Sequence, residues 1–384
     1  MSASRLEHVD NLLQRWVADE GIQTMVALVA RRGVVVLHRA YGRLGPEADA
    51  PATPLDAVFE LASTTKVLTA TALMTLVEEG KVGLNRPVSG YIPEFQGQGK
   101  DAVLVRHLLT HTSGLRGDEL AAYAKEQQGK VTIPPAPPTI HPWFHEYLSL
   151  RYACPLWKRP GEEMSYCDYN FDLAAEIIRR VSGLSMDRFA YERVFRPLGM
   201  NNSFYCLVDV PRELRIRYPV TPGYSPDAGD IARETERLWM GCGCALSSAA
   251  DMAVLGQMFL NRGAYGPVRI LSPATVVAMT RDQIPGVRAE FHGQVFPDAG
   301  WGLGWSMIGL KAGWSGGLHS PESYYHTGNG GTMVWVDPPN ELVGVCFSAS
   351  PFFSTDLDFA TSNWAAKWRN DLFEDAVTAT IVDP

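Results

Sequence analysis

The sequence predicts an α+β fold in which one antiparallel sheet is built from both chain ends, with helices flanking the sheet and a mostly helical domain inserted between them. Two hairpin patterns support this prediction. Residues 25–30 and 34–41 are apolar, β-branched runs around a Gly-containing turn. Residues 332–337 and 342–348 flank a Pro-Pro-Asn turn in the same way. Helical periodicity dominates the chain between the two hairpins.

The domain division follows from this order of elements. We expect the sheet domain to comprise residues 1–65 and 236–384, and the helical domain to comprise residues 66–235. The helices at the two chain ends should cover the sheet. Ligand sites occur preferentially at domain junctions, so a cleft is expected where the two domains meet.

The remaining elements are predicted from apolar periodicity and from Gly, Pro and capping residues. In chain order they are an amphipathic N-terminal helix with Leu6, Val9, Leu12, Leu13 and Trp16 on one face, a helix at residues 64–79 that ends at Gly80, a loop at residues 85–95, a short helix and turn at residues 105–115, a helix at residues 170–182, a helix at residues 249–262 that begins with Ser248 and Asp251 as a capping box, and a terminal amphipathic helix at residues 357–377.

Residues 116–160 differ in composition from the rest of the chain. They begin polar, become Pro-rich and end aromatic. A long irregular insertion in a compact domain is usually functional, so a lid over the ligand site is one interpretation. Core packing is the more common role of its aromatic side chains, which are Trp143, Phe144, Tyr147, Tyr152 and Trp157.

The charge balance disfavours nucleic acid and membrane partners. The chain has 384 residues with 34 Lys and Arg against 42 Asp and Glu, a formal net charge of −8, and its cations are scattered. Nucleic acids and anionic membranes require a concentrated basic face. We therefore expect a small-molecule ester or amide as substrate, and the oligomeric state stays open.

The cysteines and the N-terminus indicate a cytoplasmic protein. Six cysteines without zinc-site or disulfide-scaffold spacing predict reduced, buried thiols. The N-terminal segment alternates charged and apolar side chains, unlike a secretory signal. No apolar run reaches the roughly 18 residues that span a bilayer. No cofactor and no metal site are expected.

Ser63-Thr64-Thr65-Lys66 is the first motif that suggests chemistry. A spacing of three at the start of a helix places both side chains on one face, about one turn apart. A serine hydroxyl needs a neighbouring base to become a good nucleophile, and a lysine whose pKa is lowered by its surroundings can supply one. The helix N-terminus also directs the Ser63 amide toward a developing oxyanion. The alternative is an N-cap serine beside a surface lysine.

Two further motifs add candidate residues. Tyr166 and Asp168 follow a Pro-Gly turn and precede a helix, and a tyrosinate stabilised by a nearby ammonium can accept the serine proton. A core tyrosine with a capping aspartate is the alternative. His326-Thr327-Gly328 leads into a Gly-rich turn and a strand, where glycine lets a substrate approach the backbone.

In this order, the S-x-x-K, Y-x-D and H-T-G motifs resemble the class C β-lactamase-like superfamily of penicillin-recognising serine enzymes. The surrounding sequence is similar too: VRHLLTHTSGL at residues 105–115, a Pro-Gly turn at 160, RPLGM at 196–200, WGLGW at 301–305 and HTGNGGTMVWVDP at 326–337. The resemblance spans residues 20–350 and implies a β-lactamase/DD-peptidase-like fold.

The resemblance implies a role for each motif residue. Ser63 would be the nucleophile, Lys66 its partner, and Tyr166 the general base and acid. The backbone amides of Ser63 and Asn329 would form the oxyanion hole. The substrate-binding residues would be Asp168, His326, Thr327 and Gly328.

Two positions depart from the β-lactamase pattern. Asp168 stands where β-lactamases usually have asparagine, and His326 stands where they usually have lysine. Both changes remove features that suit the carboxylate of a β-lactam, and both resemble the esterase branch, the family VIII carboxylesterases. The main hypothesis is therefore a carboxylesterase for small, short-chain esters with weak β-lactamase activity. The alternatives are a β-lactamase, a D-amino-acid peptidase, an amidase or an acyl transferase, and, more remotely, a catalytically silent binding protein.

Two other patterns are not assigned a catalytic function. Residues 313–317 (GWSGG) match the G-x-S-x-G motif, but no helix pattern follows, and His326 is the last histidine in the chain, which leaves no room for a triad. Two histidine pairs with i, i+4 spacing do not fit H-E-x-x-H, and the first pair is expected to hydrogen-bond loops. These pairs are His107/His111 and His141/His145.

Overall fold

The computed structural model describes residues 1–19, 22–218, 236–291, 294–308, 315–329, 331–349 and 369–383. Its strands are β1 (Thr24–Arg31), β2 (Val34–Gly42), β3 (Phe59–Glu60), β4 (Met164–Ser165), β5 (Leu246–Ser247), β6 (Ala264–Tyr265), β7 (Val268–Arg269), β8 (Ala289–Phe291), β9 (Gln294–Phe296), β10 (Ser306–Met307), β11 (Tyr324–Gly328), β12 (Thr332–Asp337) and β13 (Leu342–Ala349). Its α-helices are α1 (Ala3–Asp19), α2 (Thr65–Glu78), α3 (Val105–Leu109), α4 (Gly117–Gln127), α5 (Pro142–Ser149), α6 (Asp168–Ser182), α7 (Met186–Ala190), α8 (Arg196–Leu198), α9 (Ala249–Leu260), α10 (Pro273–Met279) and α11 (Asn370–Thr378).

A six-stranded antiparallel sheet forms the centre, with the strand order β10-β11-β12-β13-β1-β2. β1 pairs with β2 on one side and with β13 on the other, so the N-terminal and C-terminal hairpins meet in the middle of the sheet. The predicted sheet from both chain ends is confirmed, and so is the α+β fold class. The boundaries between the two domains stay predictions.

Alternating side chains of β1 contribute to two different cores. Val26 and Leu28 join the larger core, to which α2, α6 and α9 also contribute. Met25, Ala27 and Val29 join a smaller core with α1 and α11. Successive side chains on a strand point to opposite faces of the sheet. Residues 25–30 of β1 are all apolar because helices cover both faces of the strand.

The helix predictions at the two chain ends have different outcomes. The N-terminal helix is confirmed, and α1 buries Val9, Leu13 and Trp16. Of the terminal helix predicted at residues 357–377, the structure contains Asn370–Thr378, while residues 357–368 lie outside the described residues.

The capping box predicted for α9 is half right. The Ser248 hydroxyl accepts a hydrogen bond from the Asp251 amide at 3.2 Å and caps the helix. In place of the reciprocal bond, the Asp251 carboxylate accepts hydrogen bonds from the Asn202 amide at 2.7 Å and from the Ser203 hydroxyl at 2.8 Å. A tertiary contact has replaced the local one.

The expectation that residues 116–160 are irregular is wrong. α4 and α5 lie inside this segment, and α5 buries Phe144 and Leu148 in the larger core. The Pro-rich stretch conceals α5 because Pro142 occupies its first turn, where proline is tolerated. Core packing is confirmed for Phe144 and Tyr152.

Two bulk predictions can be compared with the structure. All six cysteines are free and buried, as predicted. Among the residues that the structure describes, no helix combines the length and the apolar character needed to cross a membrane.

Candidate active site

The predicted nucleophile Ser63 lies on a strained turn between β3 and α2. A 3₁₀ turn, Ala62–Thr64, leads directly into α2. Ala62 has a φ of +45°, in the left-handed region that alanine rarely adopts. Strain of this kind costs on the order of 1–3 kcal/mol and is concentrated at functional sites. The turn places Ser63 at the N-terminal end of α2, as the motif predicted.

Lys66 is fully buried, and acceptors occupy its N–H groups. Its Nζ donates to Ser63 Oγ at 3.0 Å, to the Cys242 carbonyl oxygen at 2.9 Å and to Asp168 Oδ1 at 2.7 Å. Tyr166 is a fourth polar neighbour of this ammonium. A lysine ammonium has three donors and no acceptor, so this environment suits the protonated form. The structure brings Ser63 and Lys66 together, as their spacing predicted.

The charge state of Lys66 differs from the prediction. Burial by itself would lower the pKa of Lys66, but its acidic neighbours, first among them the paired Asp168 carboxylate, outweigh burial and raise the pKa above its usual value. The protonated ammonium is therefore the favoured form of Lys66. The expectation that a lowered pKa lets Lys66 take the serine proton is wrong, because Asp168 stabilises the ammonium that burial would otherwise neutralise.

Tyr166 meets Ser63 and Lys66 at its phenol oxygen. Both side chains interact with it, and Lys66 Nζ lies 4.9 Å from the ring centroid. Burial raises the pKa of Tyr166 although Lys66 opposes that effect, and Asp168 raises it further. The resting side chain is a neutral phenol, so the predicted tyrosinate is not the resting form.

The H-T-G motif forms the end of β11, beside the turn that holds Ser63. A Cβ atom on Gly328 would overlap the carbonyl oxygen of Leu61 and the hydroxyl of Thr332. Thr332 Oγ1 donates to the same Leu61 oxygen at 2.8 Å. Gly328 therefore lets two backbone segments approach each other, whereas the sequence argument gave that space to the substrate.

In the described part of the chain, β10 pairs only with the first two residues of β11. His326 and Thr327 therefore lie beyond the end of β10. His326 is buried, with Nδ1 2.8 Å from the Thr327 carbonyl oxygen and its ring 5.8 Å from that of Trp301. Thr327 is half-buried, and Asn329 is exposed. The predicted roles of these residues in substrate and oxyanion binding stay predictions.

Asp168 has a structural role that the sequence did not reveal, because it is the counter-ion of Lys66. Its side chain is nevertheless 59% exposed. One carboxylate oxygen thus pairs with the buried ammonium while the side chain still faces solvent. A carboxylate in this position disfavours anionic substrates, since like charges across a binding site cost affinity. The sequence argument predicted that repulsion but missed the ion pair.

Asp172 and Cys242 also support the site, although the sequence argument did not find them. Asp172 Oδ1 accepts a hydrogen bond from the Cys242 amide at 3.2 Å, and the Cys242 carbonyl is a partner of Lys66. Burial, together with the nearby Asp168, raises the pKa of Asp172 to about 7. Asp172 follows Asp168 by one helical turn, which is a usable sequence signal. The Cys242 contribution is a backbone carbonyl, and no side-chain motif reveals it.

The G-x-S-x-G match at residues 313–317 has none of the surroundings that this motif needs. Turns and not a helix follow Ser315, and the amides of Gly316 and Gly317 donate to carboxylates of α11. The first two residues of the match lie outside the described residues. Over the described ranges, no group of three or more His, Cys, Asp and Glu side chains is placed to hold a metal ion.

The fold and this arrangement of serine, lysine and tyrosine are those of a serine hydrolase of the β-lactamase fold, and comparison with known proteins agrees. The chain belongs to the Beta-lactamase family, whose family model matches residues 9–365. The resemblance found in the sequence is thereby confirmed.

Individual relatives differ in the activities that their names carry. A Salmonella paratyphi B protein, provisionally named a D-alanyl-D-alanine carboxypeptidase, is 27% identical over 394 residues, which cover 91% of this chain and 83% of that protein. The solved structure of EstCE1, described as a hydrolase with promiscuous acyltransferase activity, has a TM-score of 0.75 at 20% identity and 98% coverage of both chains. A family VIII carboxylesterase has a TM-score of 0.72 at 19% identity and 99% coverage of both chains. The two structures are similar to this chain in fold.

Proposed function

We propose that the protein is a carboxylesterase that forms an acyl-enzyme on Ser63 and hydrolyses small esters of short-chain acids. The observation that carries this proposal is the hydrogen bond from the Lys66 ammonium to Ser63 Oγ. Because Lys66 donates to this oxygen, the serine proton must go to another acceptor. Tyr166 interacts with both residues and is the proposed acceptor.

Acylation follows from this arrangement. Ser63 Oγ attacks the ester carbonyl carbon while its proton moves to the Tyr166 oxygen. Tyr166 accepts this proton in its minor phenolate form, which has already lost the phenol proton to solvent, and the Lys66 ammonium stabilises the negative charge of the phenolate. The carbonyl oxygen becomes an oxyanion, for which the amides of Ser63 and Asn329 are the proposed donors. The alkoxide leaving group then takes the proton from Tyr166 as its bond to carbon breaks.

Deacylation repeats these steps with water. Tyr166 accepts a proton from a water molecule, whose oxygen attacks the acyl carbon. Ser63 Oγ then leaves and recovers the proton from Tyr166. The same phenol oxygen therefore serves as base and as acid in both halves of the reaction.

The charges around Ser63 favour neutral esters over β-lactams and peptides that carry a carboxylate. The ammonium that contacts Ser63 is already paired with Asp168, whose side chain faces solvent. His326, in the place of a lysine, supplies little charge near pH 7. An anionic substrate would therefore meet a carboxylate without gaining a cation.

Purified protein should hydrolyse p-nitrophenyl acetate and butyrate with a higher kcat/KM than a chromogenic cephalosporin. Changing His326→Lys together with Asp168→Asn should shift the ratio of the two kcat/KM values toward the cephalosporin by about tenfold or more. Each substitution changes the charge near the cephalosporin carboxylate by one unit. A difference of about 1.4 kcal/mol in interaction energy corresponds to a tenfold change in the ratio. His326→Gln is the matched control without a charge change. A wild-type protein that prefers the cephalosporin would contradict the esterase assignment.

The wild-type kcat/KM for an ester should rise between pH 6 and pH 9 by about tenfold per pH unit. The base form of Tyr166 is the phenolate, and burial raises the pKa of Tyr166 above its usual value of 10.0. The reactive fraction therefore grows with pH throughout this range.

Initial rates across this pH range, corrected with Ser63→Ala for spontaneous hydrolysis, provide the check. A flat profile would show that Tyr166 does not titrate in the rate-limiting step.

The names of the relatives suggest two alternative activities that should be tested beside ester hydrolysis. The Salmonella relative suggests D-alanyl-D-alanine peptides, and EstCE1 suggests acyl transfer to an alcohol. Both reactions use the same acyl-enzyme. Assays with a D-alanyl-D-alanine peptide, and with an ester plus added alcohol, separate these activities from simple hydrolysis.

A further inference from the structure

We propose that His111 is a positioning residue that holds Tyr166 where it can take the Ser63 proton. This inference rests on the proposed function of Tyr166 as the base. It concerns a histidine that makes no described contact with Ser63 and therefore acts through Tyr166.

His111 contacts three consecutive residues centred on Tyr166. Its Nδ1 accepts a hydrogen bond from the Cys167 amide at 3.1 Å, and its carbonyl oxygen accepts one from the Ser165 amide at 2.9 Å. Its ring lies against the Tyr166 ring, with the centroids 4.4 Å apart and the planes at 32°. One residue thus fixes the backbone on both sides of Tyr166 and one face of its ring.

The conformation of His111 makes these contacts feasible. α3 ends at Leu109, and His111 has a φ of +55°. Among residues other than glycine, histidine, asparagine and aspartate are enriched in this left-handed region. The chain turns there, so that both the carbonyl group and the side chain of His111 reach the segment that carries Tyr166. The sequence-based expectation that His111 hydrogen-bonds a loop is confirmed, and the loop is the one before α6.

His111 is also fixed in place and uncharged. It is buried, and its ring lies 5.1 Å from that of Phe171 and 5.2 Å from that of Trp301. Burial, reinforced by the charge of Lys66, lowers the pKa of His111 well below its usual value. Nδ1 accepts the Cys167 amide and therefore carries a lone pair, which leaves the proton on Nε2. The support for Tyr166 does not change over a working pH range.

Position matters here because proton transfer is steeply sensitive to geometry. A displacement of about 1 Å in a catalytic group can cost about 100-fold in rate. Loss of the His111 contacts should therefore lower kcat and leave KM nearly unchanged, since His111 is buried and offers almost no surface to a substrate.

Two substitutions separate the contacts. His111→Asn keeps a hydrogen-bond acceptor and tolerates a positive φ, but it lacks the ring. His111→Phe keeps a ring but loses the acceptor. With p-nitrophenyl butyrate, we expect kcat to fall by about tenfold for His111→Asn and by about 100-fold for His111→Phe, with KM within about threefold of wild type.

The decisive measurement repeats both substitutions in a Tyr166→Phe background. A residue that acts only through Tyr166 has nothing left to position there, so each change should alter the remaining kcat by less than about twofold. His107→Asn is the matched control, because His107 Nδ1 accepts the Leu104 amide at the start of α3 at 3.1 Å. It should keep a wild-type kcat.

Equal losses of kcat in the two backgrounds would overturn the proposal and indicate general damage to the fold. A wild-type kcat for His111→Asn would also overturn it, even if His111→Phe failed to fold. If Tyr166→Phe by itself kept full turnover, the proposed function would fail instead, and the two failures are therefore distinguishable.

Discussion

Lys66→Met should lower kcat for a p-nitrophenyl ester by about 10³-fold while the protein stays folded. The change removes the ammonium that contacts Ser63 Oγ and stabilises the phenolate form of Tyr166. Preorganised charges of this kind are worth about 10²–10³ in kcat when one is deleted. Steady-state kinetics on the purified variant measure the loss.

The same substitution should leave the thermal stability of the protein unchanged or slightly increased. A buried ammonium is costly to desolvate, and removing one member of a buried ion pair destabilises a protein mainly through the buried charge that is left behind. Its partner Asp168 is largely exposed, so solvent can accommodate that charge. Thermal unfolding of Lys66→Met should give a Tm equal to or above that of the wild type. Lys81→Met is the control, because Lys81 is an exposed lysine that forms an ion pair with Glu79. Near-native turnover in Lys66→Met would remove Lys66 from the mechanism.

Tyr166→Phe should lower kcat by about 10²–10⁴-fold, the range expected when a general base is lost. The substitution deletes one oxygen atom and leaves the ring, which keeps its contact with His111. The remaining activity should also lose the rise with pH that we expect of the wild type. A pH profile of kcat/KM for both proteins tests the two expectations together.

A Tyr166→Phe variant that kept the steep rise with pH would show that another group titrates. Because Lys66 has a raised pKa and stays a cation, Asp172 would then be the next group to test, since its pKa lies at about 7. A flat pH profile for Asp172→Asn in the Tyr166→Phe background would identify Asp172 as the titrating group.

Much of the fold could be predicted because local patterns carry it. The apolar runs of β1 and β13 and the apolar face of α1 are set by which surfaces each element buries, and burial leaves a record in the sequence. α5 was missed because its proline occupies the first turn, so a residue that usually ends helices instead begins one.

The site could be predicted in composition but not in electrostatics. The spacing of Ser63 and Lys66 was sufficient to bring them together. The pKa of Lys66 depends on a balance between burial and Asp168, and that balance requires distances in three dimensions. The contacts of His111 and the Cys242 carbonyl were likewise inaccessible, because they join segments far apart in the chain.

The most direct test of the account is the location of the acyl group. The protein is treated with a fluorophosphonate or a slow ester, and the modified peptide is identified by mass spectrometry. We predict one adduct per chain, on Ser63, which Ser63→Ala abolishes together with turnover and which Ser315→Ala leaves intact. An adduct on Ser315, or no adduct on a folded and active protein, would contradict the assignment of Ser63 as the nucleophile.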